Sequence, residues 1–136
     1  MRTFIAKIGE LHPMLAWIRG ELAPMEFEPA LLHKIELAAE EVIVNIISHG
    51  YQHRPEKIEI EVRLFPASRA EIVFKDRGII FNPLNVKELD ISSDLEERKI
   101  GGLGIHFVRE LIDEVLYQQE GDQNVLTLLI HSSRKR

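Results

Sequence analysis

Glu41, Asn45 and His49 follow one another at i, i+4 and i+8 in the segment ALLHKIELAAEEVIVNIISHGY, Ala30 to Tyr51. On a helix this spacing forms one polar stripe. The amide oxygen of Asn45 can coordinate a hard cation such as Mg²⁺, which also takes waters and phosphate oxygens. The carboxylate one turn away, Glu41, can accept a proton from an attacking hydroxyl. Taken alone, Glu-x-x-x-Asn is more simply a stripe that faces solvent or a neighbouring loop.

Two further groups could do chemistry. Asp76, in Asp76-Arg77-Gly78, is a carboxylate able to accept a hydrogen bond from an exocyclic amine such as that of adenine. Gly78 would let a base lie against the backbone. Seen alone, the same residues are an ordinary strand-ending turn. The run Gly101-Gly102-Leu103-Gly104 opens a helical pattern. Glycines permit close backbone approach, and exposed N–H groups at a helix start can bind phosphate. The plainer alternative is a helix start that tolerates glycine. The run is not a Walker A loop, because no Gly-Lys-Ser/Thr follows it. His49 and His53 are also i, i+4, but Gly50 separates them and no third ligand is close in sequence.

The elements that position these residues can be read from periodicity. Arg2 to Ile8 alternates weakly and predicts a strand. Leu15, Ile18 and Leu22 repeat at helical spacing within Leu11 to Leu22, with Pro13 in the first turn. The Ala30–Tyr51 segment carries apolar residues on more than one face, so it predicts a central core helix ending near Gly50. Burial of that helix would put a carboxylate and an amide where polar groups are costly unless paired. Ile58, Ile60, Val62 and Leu64 alternate with charged residues, and Ala70 to Asp76 returns after Pro66-Ala67-Ser68, which predicts an antiparallel hairpin. Ala70, Ile72, Phe74 and Asp76 share one parity, so Asp76 ends an apolar row. Residues from Asp90 to Arg98 have no clear periodicity. A helix follows the glycine run to about Asp113, and Glu114 to Glu120 with Asn124 to His131 predicts a final hairpin turning at Gly121-Asp122. Helices and hairpins in segregated pairs suggest a two-layer α/β sandwich with helices on one face.

The chain has 136 residues, which fits one domain. Its net charge of −5, with no basic half, argues against nucleic acid as the main partner. It has no cysteine, which excludes disulfides and thiol chemistry. No signal-peptide pattern follows Met1 and no apolar run reaches membrane-spanning length, so a soluble cytoplasmic domain with no membrane partner is expected.

The chemical groups fall in one order: Glu-x-x-x-Asn on a long helix, Asp-x-Gly at a strand end, an aperiodic stretch, then Gly-Gly-x-Gly at a helix start. This order resembles the ATP-binding fold shared by DNA gyrase, heat-shock chaperone ATPases, histidine kinases and mismatch-repair ATPases. Within that superfamily it is most similar to the bacterial anti-sigma-factor serine/threonine protein kinases. The stretches that carry the likeness are EEVIVNIISHGY, DRGIIFNPL, GGLGIHFV and LIDEV, and it covers nearly the whole chain. The superfamily usually has a second glycine two residues after Gly78, where this chain has Ile80.

The resemblance implies one α+β domain over residues 1–136, a Bergerat-type two-layer sandwich with a mixed, mostly antiparallel sheet. It implies ATP and Mg²⁺ as cofactors. Glu41 would be the catalytic base, Asn45 the metal ligand and Asp76 the adenine ligand, with Gly78 beside it. Gly101, Gly102, Leu103 and Gly104 would shape the hinge of a lid, Asp90 to Ile100, over the phosphates. Arg98 or Lys99 would reach the γ-phosphate, and His49 and Thr127 would be secondary contacts. The implied partners are a STAS-domain anti-sigma-factor antagonist, phosphorylated on serine or threonine, and a sigma factor that the kinase sequesters. A homodimer through the first strand and helix is also implied. The alternative is a nucleotide-gated binding module without catalysis. The catalytic domain of a histidine kinase is disfavoured, because no room remains for a helix bearing a phosphorylated histidine.

Overall fold

A computed structural model describes residues 1–52, 54, 56–79 and 108–132. Strand β1 (Arg2–Ile5) leads through a 3₁₀ turn at Ile8–Glu10 into helix α1 (Leu11–Leu22). A second 3₁₀ turn, Ala23–Met25, precedes helix α2 (Pro29–Asn45), which continues as a π-helical segment at Ile46–Gly50. Strands β2 (Lys57–Phe65) and β3 (Arg69–Asp76) form one hairpin, and β4 (Glu114–Glu120) and β5 (Gln123–His131) form another. The sheet order is β1-β2-β3-β5-β4, and each of these neighbouring pairs is antiparallel. The fold is α+β with the described helices on one face of the sheet, as the element order predicts.

Directly opposed residues in an antiparallel ladder share a face. The register therefore builds one inward row across three strands: Ile60, Phe74 and Leu126, then Val62, Ile72 and Leu128, then Leu64, Ala70 and Ile130. These rows meet Met14, Ile18 and Leu22 of α1 and Ile35, Ala38, Val42 and Ile43 of α2 in one core. Truncating a residue as central as Phe74, fully buried, to Ala would cost about 3–5 kcal/mol. Among the described residues, no helix is long and apolar enough to cross a membrane.

Three local expectations are corrected. The first strand ends at Ile5 rather than Ile8, because the chain turns at Ala6 and Lys7, whose N–H groups donate to Glu56 O and Ile5 O. The central helix starts at Pro29 but is not uniform to Tyr51. Its last turn widens to π geometry, with Tyr51 N donating to Ile46 O five residues back at 2.8 Å. The helical segment does end at Gly50, as expected. Gly50 keeps ordinary φ, and the left-handed position falls on Gln52 at φ 50°. The third helix is described only at 108–111, with bends at 112 and 113, so it ends before Asp113.

Candidate functional site

The inward row that begins with Ala70 ends at Asp76, which is 6% exposed. Its neighbours in register are Ile58 on β2 and Asn124 on β5. Asp76 Oδ1 accepts two hydrogen bonds, from Gly78 N at 2.9 Å and from Asn124 Nδ2 at 3.1 Å. Among the described residues, Oδ2 has no hydrogen bond. Burial pushes the carboxyl above the ordinary aspartate range, and the bonds from Asn124 and Gly78 oppose that shift. The result is a buried acid with one oxygen saturated and the other able to accept.

The end of the α2 rod is clamped to this acid. Ile79 N donates to Gly50 O at 2.8 Å. The Tyr51 hydroxyl accepts from Arg77 N at 2.7 Å and donates to Lys57 O at 2.5 Å. Burial holds the Tyr51 phenol above its ordinary range, so it stays protonated and can act in both directions. Gly50 and Gly78 meet backbone to backbone: a Cβ on Gly78 would stand 2.5 Å from Gly50 C and O. The absent side chain of Gly78 is therefore used by this contact within the protein, a more specific reason than room for a base.

Glu41 and Asn45 lie on the same rod, one α-helical turn or roughly 6 Å apart along the axis. Both are half-buried rather than buried, so the expected conflict with burial is milder than the pattern implied. Burial, then the neighbouring Glu40 charge, raises the Glu41 pKa. The π turn changes the stripe. Because its bonds run i to i+5, the residue one full turn beyond Asn45 is Gly50 rather than His49. π segments within helices are frequent at functional sites.

Thr127 does not join the group. It pairs with Val73 and Leu116, whose parity is opposite to that of Asp76, so it lies on the sheet face away from the helices. Arg98, Lys99, Gly101, Gly102, Leu103 and Gly104, the lid Asp90 to Ile100, and also His53 and Ile80, lie outside the described residues.

Asn124 and Tyr117 carry no assignment from the sequence, yet Asn124 bonds to the acid and Tyr117 bonds to Asn124. Asn124 Nδ2 also donates to Ile79 O at 3.2 Å, and its Oδ1 accepts from the Tyr117 hydroxyl. Burial and the Asp76 charge raise the Tyr117 phenol. A signal for Asn124 was present: it shares parity with Leu126, Leu128 and Ile130, as Asp76 does with Phe74, so it too is a polar residue ending an apolar row.

Among the described residues, no three His, Cys, Asp or Glu side chains gather to hold a metal. The half-buried Asn45 offers one amide oxygen, a donor suited to a hard cation that also takes waters and phosphate oxygens, as Mg²⁺ does.

Comparison with known proteins bears on the family of the chain. A family model described as histidine kinase-like ATPase domain matches residues 4–130, from β1 to the end of β5. The chain is 27% identical over 114 residues to serine-protein kinase RsbW of Listeria monocytogenes serovar 1/2a, covering 79% of this chain and 72% of that protein. It is 26% identical, with the same coverage, to serine-protein kinase RsbW of Listeria innocua serovar 6a.

Proposed function

Because the chain belongs to the histidine kinase-like ATPase domain family, we propose that it is an ATP-dependent serine/threonine protein kinase and anti-sigma factor. Its substrate is a STAS-domain anti-sigma-factor antagonist, and it sequesters a sigma factor and so regulates transcription. The similarity to serine-protein kinase RsbW supports the kinase reading. The observation that carries nucleotide binding is Asp76: a buried carboxylate with one oxygen saturated, placed where strand end and helix end meet.

In this reading, Asp76 Oδ2 accepts a hydrogen bond from the adenine amino group. Glu41 takes the proton of the attacking serine or threonine hydroxyl. The substrate oxygen bonds to the γ-phosphorus as the bond to the β-phosphate oxygen breaks, and ADP leaves. Asn45 would hold Mg²⁺, which when bound supplies charge neutralisation at the phosphates. Arg98 or Lys99 would stabilise charge on the transferring group. Gly101, Gly102, Leu103 and Gly104 would let the chain close over the phosphates, and His49 would be a secondary contact. The kinase acts as a cytoplasmic homodimer. Exposed Ile5 (41%) and Ile8 (55%), on and just after edge strand β1, support pairing there.

The test is transfer of radiolabelled phosphate from ATP to a cognate antagonist. Wild-type protein should label the antagonist on serine or threonine, and Glu41→Ala should not. Unimpaired transfer by Glu41→Ala would overturn the catalytic assignment. ATP-dependent thermal stabilisation, with and without Mg²⁺, checks binding separately, and no shift at millimolar ATP would count against the nucleotide reading itself.

A further inference from the structure

We infer that Asn124 and Tyr117, both from the final hairpin, are positioning residues for base recognition: they hold Asp76 so that a single carboxylate oxygen meets the 6-amino group of a purine. This rests on the proposed role of Asp76 as the base-binding group.

The orientation of the Asn124 amide is determined by its neighbours. One end faces two acceptors, Asp76 Oδ1 at 3.1 Å and Ile79 O at 3.2 Å. An amide end that faces two acceptors must be its NH₂. The oxygen end then faces Tyr117, whose hydroxyl must donate. The raised phenol pKa keeps that proton in place. Asn124 is itself only 7% exposed, so water cannot readily replace these partners.

This arrangement makes the two oxygens of Asp76 unequal. Oδ1 is saturated by Asn124 Nδ2 and Gly78 N. Oδ2 is left as an acceptor. The same amide ties down the Ile79 carbonyl, just past the Gly78–Gly50 contact, and so fixes the backbone beside the acid. An acceptor-only edge suits a 6-aminopurine, which presents N–H donors there. It opposes a 6-oxopurine, whose oxygen would face Oδ2. Neither Asn124 nor Tyr117 has to touch the base to set this preference.

The experiment compares ATP with purine riboside triphosphate, which lacks only the 6-amino group, by calorimetry on the full chain. Wild type should prefer ATP. Tyr117→Phe, which keeps the ring, and Asn124→Ser should each lower that preference about 3- to 10-fold, the scale of one hydrogen bond. The loss should fall on ATP and leave affinity for the analogue unchanged. Equal weakening of both nucleotides, or an unchanged preference, would overturn the positioning role. Asn124→Asp adds an independent readout. Two carboxylates in this contact must share a proton, so its ATP affinity should acquire a pH midpoint above that of wild type, and an unshifted midpoint would also overturn the inference. If wild type binds no ATP, or Asp76→Asn binds it as tightly as wild type does, the nucleotide reading fails and this inference with it. If Asp76→Asn loses the preference while Tyr117→Phe and Asn124→Ser keep it, only the positioning role fails.

Discussion

Gly78 lies so close to Gly50 that a Cβ on Gly78 would stand 2.5 Å from the Gly50 carbonyl carbon and oxygen and 2.8 Å from its Cα. The relationship is not symmetrical. A Cβ on Gly50 would have Asp76 Oδ1 as its nearest neighbour at 3.6 Å, an ordinary contact. Neither glycine has positive φ. What makes Gly78 special is therefore close approach, and not backbone conformation.

Gly78→Ala should push the helix end away from the strand exit and strain the Ile79 N to Gly50 O bond. We expect a loss of about 1–3 kcal/mol, as in other overpacked sites, with weaker ATP binding. Gly50→Ala should be neutral or slightly stabilising, because alanine favours helix. Urea unfolding of the two variants checks the asymmetry, and equal costs would contradict it.

The β2–β3 turn contains a second backbone constraint. Ser68 N donates to Phe65 O at 2.9 Å, with Pro66 and Ala67 between them and Ala67 at φ 67°. Proline followed by positive φ is the pattern of a type II turn, where glycine normally takes the second central position. Ala67→Gly should therefore raise stability by roughly 0.5–1 kcal/mol, the left-handed penalty less the entropy of glycine. A fall in the urea midpoint would refute this.

Asp76 couples stability to function. Its pKa is raised above the ordinary value of 3.8, mainly by burial. A raised folded pKa means that the group's contribution is fully present below the unfolded value and is lost as pH rises through the folded one. Once pH rises through the raised value, the buried charge thus weakens the nucleotide-free protein. Asp76→Asn can keep both hydrogen bonds to its oxygen while turning the other oxygen into a donor. It should stabilise the chain at pH above that raised value and abolish ATP binding. A destabilised variant, or one that still binds ATP, would contradict this account.

Much of this was legible in the sequence because strand parity is a strong constraint. Period-two alternation located both hairpins and placed Asp76 at the end of the inward row, where it is found. The same parity, applied to Asn124 and Thr127, would have separated them: Asn124 faces inward with Asp76 and Thr127 faces out. The π turn at Ile46–Gly50 left no mark in the apolar pattern, since Ile46 and Ile47 are buried as an α-helix would bury them. The Gly50–Gly78 contact and the bond from Arg77 N to the Tyr51 hydroxyl join residues more than twenty positions apart, and local periodicity does not report such contacts.

Glu41 gives the most direct test of mechanism. Its pKa is raised above the ordinary 4.5, first by burial and then by the Glu40 charge. A general base works only when ionised, so phosphoryl transfer should rise with pH through this raised value and then level off. Glu40→Gln removes the second cause, so the rising limb should move to lower pH. Glu41→Gln should retain ATP binding and lose about 100- to 10,000-fold in transfer rate, the usual worth of a positioned base. It should also stabilise the nucleotide-free chain at neutral pH, because the raised carboxyl loses its stabilising contribution as pH rises. Single-turnover transfer across pH for the three proteins decides the matter. A limb that stays in place in Glu40→Gln, or persists in Glu41→Gln at wild-type rate, would assign the base to another residue.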